Sequence, residues 1–142
     1  MKVILNKCFG GFEVSHEGYL LYAKKKGIEV FAYELDSLLS TRGWKYTKVP
    51  VGKESVSFCN YYFTKDYGEK INEKDINWED HLFLSGEYRE DPVLIEVVEE
   101  LGTERASGRF GRLVVVEIPD GMDYVIDEYD GIETLHQRVE EW

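Results

Sequence analysis

Asp130-Gly131, set between two runs that mix apolar and polar residues, constrains the fold more than any other pair in the chain. A two-residue turn of this composition accepts positive φ at both positions and sends the chain straight back antiparallel to itself. Tyr124 to Glu128 reads as the incoming strand, and Ile132 to Val139 as a returning strand or a short helix. Arg112 to Pro119 reads as a further strand, separated from Tyr124 by Asp120-Gly121.

The rest of the chain follows the same mixed pattern. Lys2 to Cys8 alternates weakly, as a first strand does. Ser15 is placed to cap a helix over His16 to Lys26, with Tyr19, Leu20, Tyr22 and Ala23 as its buried side and Gly27 as its stop. Ile28 to Leu35 reads as a strand, and Asp36 to Gly43 as a loop or helical turn. Trp44 to Val51 and Ser55 to Lys65 read as strands joined by a turn at Gly52-Lys53. Asp66 to Asp80 reads as a long surface loop, and His81 to Leu84 as a short strand. Asp91-Pro92 opens a second helix, with Val93, Leu94, Val97, Val98 and Leu101 inward and Gly102 as its end. Thr103 to Gly111 then reads as a loop. Several hairpins and two helices predict an α+β fold with a mostly antiparallel sheet. No repeat, low-complexity tract or boundary is visible, so residues 1–142 read as a single ligand-binding domain.

Charge and cysteine usage narrow the function. The net charge of −11 opposes binding to polymeric nucleic acid, which needs a broad cationic surface. No run approaches the roughly 20 apolar residues of a membrane span. The start, Met1 to Lys7, has too short an apolar run for a signal peptide and no cleavage site follows it, so a cytoplasmic protein is expected. Cys8 and Cys59 form no CxxC pair, and His16, His81 and His136 have no partner at metal spacing. No metal, no cofactor and no catalytic residue is expected. The acidic positions Asp120, Asp127, Glu128 and Asp130 read as a solvated face.

Three groups of residues point to binding instead. Phe9-Gly10-Gly11-Phe12 lies between a strand and a helix, where bare backbone N–H groups can approach a phosphate. It lacks the Walker and Rossmann signatures, and a tight turn with two packing phenylalanines is the commoner use of such spacing. Arg105, Arg109 and Arg112 lie in a Gly-containing stretch; an arginine fork suits phosphate oxygens, and equally it can neutralise Glu99, Glu100 and Glu117. Arg89 either pairs with Asp91 or lines a pocket. Phe9, Phe12, Phe83, Tyr88 and Phe110 flank these positions, and a ring beside an arginine is one way to hold a nucleobase.

KVILNKCFGGFEVS at Lys2 to Ser15 resembles the opening of a group of small phage and bacterial proteins, which runs strand, N-x-C-[FY]-G-G-F, helix. The Asp91-Pro92 helix, GRFGRLVVVEIPDG at Gly108 to Gly121 and IDEYDGIE at Ile126 to Glu133 resemble later blocks of the same group. Within it the chain resembles the phage Thoeris anti-defence sponges, which bind cyclic ADP-ribose isomers made by bacterial TIR immune enzymes and do not cleave them. The resemblance implies a homodimer in the host cytosol, with pockets at the subunit interface; some members assemble further and also bind cyclic oligonucleotides. It implies ligand contacts from Phe9, Gly10, Gly11 and Phe12, from Arg89 and Asp91, and from Arg105, Arg109 and Phe110. Asn6 and Asp130 are motif positions that read as structural. The Gly10 and Arg109 segments, far apart in sequence, are expected to meet across the dimer. Two other readings stay open: an enzyme that degrades such a signal, and an acidic module that inhibits a host protein.

Overall fold

The computed structural model describes residues 1–35, 45–49 and 60–138. In chain order its elements are β1 (Lys2–Asn6), α1 (His16–Lys26), β2 (Phe31–Leu35), β3 (Lys45–Lys48), β4 (Asn60–Phe63), β5 (Lys70–Asn72), β6 (His81–Leu82), α2 (Pro92–Ala106), β7 (Leu113–Glu117), β8 (Tyr124–Tyr129) and β9 (Ile132–Gln137). The fold class is α+β, and every strand pair among the described residues is antiparallel. Contacts divide the chain into two units, Met1–Tyr22 with Leu84–Trp142, and Ala23–Phe83.

In the first unit β1 pairs with β7 along its whole length, from Lys2 opposite Glu117 to Asn6 opposite Leu113. Val3, Ile4 and Leu5 are all buried, so both faces of β1 are covered. Asp91 caps α2 by accepting from the N–H groups of Val93 at 2.8 Å and Leu94 at 3.4 Å, a contact worth about 1 kcal/mol. The apolar spacing then buries Leu94, Ile95, Val97 and Val98. Gly102, at φ +83°, breaks the helical path as expected, but residues 103–106 resume it for one more turn rather than forming a loop. In α1 the Ser15 hydroxyl accepts from Gly18 N–H at 2.9 Å. Tyr19, Tyr22 and Ala23 are buried; Leu20 is exposed, because a rotation of about 100° per residue carries it off the stripe they share. Asp130-Gly131 forms the expected two-residue turn, with φ of +49° and +92°, and β9 is a strand rather than a helix.

In the second unit the strand order is β5-β3-β2-β4-β6. The two strands expected to be joined at Gly52-Lys53 are not neighbours: β2 lies between them and pairs with both. That turn, and Asp36 to Gly43, lie outside the described residues. The segment read as a long loop instead contains β5 and two 3₁₀ turns, Glu73–Asp75 and Trp78–Asp80. Tyr67 pins it: its hydroxyl donates to Asp80 Oδ2 at 2.8 Å and accepts from Asn77 N–H at 3.1 Å. Tyr33, Tyr46, Phe63, Ile71 and Ile76 make the core beneath.

His81 extends the aromatic face, stacked on Phe83 with centroids 5.9 Å apart. Burial pushes its pKa below the ordinary 6.5. A histidine that resists protonation only in the folded state contributes stability above its unfolded pKa, and that stability is lost as pH falls towards the folded value. Urea unfolding is therefore expected to show a lower midpoint at pH 5.5 than at pH 7.5. His81→Phe flattens that difference; an unchanged difference would remove His81 as its source.

Candidate ligand site

Asn6 closes β1 and is fully buried. Its Nδ2 donates to the carbonyls of Cys8 at 2.9 Å and Gly131 at 2.7 Å, and its Oδ1 accepts from Arg112 N–H at 2.8 Å. One side chain thus ties together the loop after β1, the β8–β9 turn and the segment before β7. A short amide suits this task because it offers donors and an acceptor from the same plane.

Beside it lies an ion pair. Glu133 accepts from Arg89 through both oxygens, at 3.1 Å and 2.8 Å, and its Oε1 also accepts from Asn6 N–H at 2.8 Å. Arg89 donates to the Ile4 carbonyl at 3.0 Å and lies over the Phe12 ring, 5.5 Å from its centroid. Gly86 leaves room for the guanidinium, since a methyl group there would meet one of its nitrogens. Only 15% of the Arg89 side chain and 10% of the Glu133 side chain are exposed. Arg89 and Phe12 are therefore committed to internal contacts. Sequence reasoning missed Glu133; the available signal was its strand phase, two residues from Gly131 and two from Leu135.

Above this base the glycine segments interlock. Gly10, at φ +128°, donates its N–H to the Asp130 carbonyl at 3.1 Å. A Cβ on Gly10 would overlap the Phe110 carbonyl oxygen and stand 2.9 Å from Phe110 Cβ. A Cβ on Gly131 would stand 2.7 Å from Gly10 N. Gly108 donates to the Glu13 carbonyl at 2.8 Å, and a Cβ on Gly111 would be 3.1 Å from the Gly11 carbonyl. The Gly10 and Arg109 segments thus meet inside one chain, which corrects the expectation that they meet across a dimer.

The remaining predicted positions separate into two sets. Gly11, Phe9, Arg109 and Phe110 stand at the outer rim: Phe9 is 62% exposed, Phe110 50%, and Arg109 is exposed. Gly11 N–H has no partner among the described residues, whereas Gly10 N–H is used by Asp130. Asp91 and Arg105 serve elsewhere. Asp91 caps α2 and accepts from the Tyr22 hydroxyl at 2.8 Å, and burial followed by that bond holds Tyr22 protonated well above its ordinary range. Arg105 pairs with Glu17 at 2.9 Å and 2.8 Å on the surface, which holds the Glu17 carboxyl below its usual range.

Among the described residues no three His, Cys, Asp or Glu side chains converge to hold a metal ion, and no helix is long and apolar enough to cross a membrane. In the second unit an open groove of about 330 Å³ is lined by Tyr67, Lys70, Ile71, Asn72 and Asp75, in the segment whose polar sequence reads as a loop. No family model, curated protein or solved structure matches this chain.

Proposed function

We propose that the protein binds a cyclic nucleotide immune signal of the cyclic ADP-ribose isomer class, without altering it, and so counteracts bacterial anti-phage defence. The observation that carries this reading is the meeting, in one chain, of the Gly10-Gly11 backbone with the segment that carries Arg109 and Phe110, where Phe9 and Phe110 are both exposed. Such a rim offers a base a stacking surface, and offers a phosphate one guanidinium and the Gly11 N–H. The resemblance of the Lys2–Ser15 and Gly108–Gly121 segments to the sponge group supports the ligand class. Arg109 is assigned to the phosphate because it is exposed next to Phe110, on the segment that meets Gly10. Cyclic oligonucleotides are the next ligands to test, and a cytosolic homodimer or larger homo-oligomer is the proposed assembly.

Calorimetric titration with cyclic ADP-ribose isomers is expected to give saturable heat, and Arg109→Ala to weaken it about tenfold, as loss of a charge-assisted pair does. Heat from the wild-type chain that Arg109→Ala leaves unchanged would remove Arg109 from the site.

A second reading draws on the carboxylates Glu128 and Asp130, exposed at the same turn. With the rings they favour a protein-interaction module that meets a cationic partner. Pull-down of a host protein by a chain that binds no nucleotide would select it.

A further inference from the structure

Resting on the binding reading above, we infer that Tyr129 is a third ring of the ligand site, placed to take the base or ribose side of the ligand. Tyr129 is 75% exposed, the most exposed large hydrophobic residue described. A tyrosine at a hairpin tip that leaves its ring in water forgoes the burial that usually fixes such residues.

Its position is fixed by its neighbours. Tyr129 closes the two-residue turn opposite Ile132. The next residue, Asp130, accepts from Gly10 N–H at 3.1 Å, and Gly131 accepts from Asn6 Nδ2 at 2.7 Å. Gly10 in turn rests against Phe110. Phe9, Phe110 and Tyr129 are thus each at, or one residue from, a single backbone junction. Among the described residues of the first unit, the exposed large hydrophobic residues are these three and Leu20. The backbone at this junction is tightly bonded, so the residues it carries are preorganised and lose little freedom when a planar group stacks on their rings.

Charge assigns the roles. Arg109 suits the phosphate, whereas Glu128 and Asp130, either side of Tyr129 along the chain, repel it. Tyr129 therefore faces the uncharged part of the ligand, where its ring stacks and its hydroxyl hydrogen-bonds to a base edge or a ribose oxygen. Tyr129 thus selects for a base-bearing ligand over a simple phosphate or pyrophosphate.

The test is titration of the full chain with cyclic ADP-ribose isomers, cyclic dinucleotides and inorganic pyrophosphate, repeated with Tyr129→Leu and Tyr129→Phe. The Leu variant is expected to bind the nucleotides at least fivefold more weakly, in line with the value of one stacked base, and the Phe variant to stay within about threefold of wild type. Pyrophosphate binding is expected to be equally weak in all three. If wild type binds nucleotide and Tyr129→Leu binds it as tightly, the Tyr129 role is overturned while the binding reading stands. If wild type binds none of the nucleotides, both are overturned. Tyr129 is exposed, so both variants are expected to unfold at the wild-type midpoint.

Discussion

Replacing Glu133 with alanine is expected to lower the unfolding free energy by about 3–5 kcal/mol, the usual cost of stranding one half of a buried ion pair. Arg89 would lose both carboxylate bonds and keep its charge in a setting where only 15% of its side chain meets solvent. Asn6 N–H would lose its acceptor in the same step. The loss is larger than that of an exposed pair such as Arg105–Glu17, which solvent screens. Removing both charges, as Arg89→Met with Glu133→Leu, is expected to cost less than Glu133→Ala alone, because no charge is then left unpaired. Urea unfolding of the three variants measures this. A loss below about 1 kcal/mol for Glu133→Ala would mean that water reaches Arg89 freely.

Gly10→Ala is the second large effect, and it acts on the site directly. The residue sits at φ +128°, where an L side chain is strained by about 1–3 kcal/mol. Its Cβ also has nowhere to go, since the atoms it meets include the carbonyl oxygen of Phe110, which is backbone. The 108–111 segment must therefore move, and with it Arg109 and Phe110. A lowered melting temperature is expected, together with amide shifts in the ¹H–¹⁵N spectrum at 108–112 and 129–131. Gly11→Ala is the control. It too has positive φ, at +150°, but open space around a Cβ, so it is expected to destabilise less and to leave the 108–112 amides in place. Equal shifts in the two variants would show that the close approach to Phe110 does not matter.

Local signals made much of the fold legible. The Asp130-Gly131 turn, the Asp91-Pro92 start and the Ser15 cap are each set by residues within a turn or two of one another, so sequence alone locates them. Strand order is a different kind of fact. Trp44 to Val51 and Ser55 to Lys65 follow one another in the chain, and nothing in either shows that β2 lies between them. The 66–80 segment looked like a loop because it is polar, yet the Tyr67 hydroxyl ties it down through Asp80 and Asn77.

The site was legible in composition but not in assignment. Gly10, Gly11, Arg109 and Phe110 stand out together in spacing and resemblance, and the two segments that carry them meet. A sequence does not show which carboxylate an arginine meets. Glu133 settles that for Arg89, and Glu17 for Arg105. Tyr129 follows the Tyr124 to Glu128 strand read from the sequence and carries no signal there; its exposure emerges only from the hairpin's placement.

Capture without chemistry has a direct test. The full chain is mixed with a cyclic ADP-ribose isomer, freed of unbound nucleotide by gel filtration, heat-denatured, and the released small molecule is identified by mass spectrometry. Recovery of the intact isomer in a fixed ratio to protein is the predicted result. Recovery of a cleaved product, or of no nucleotide at all, would contradict it.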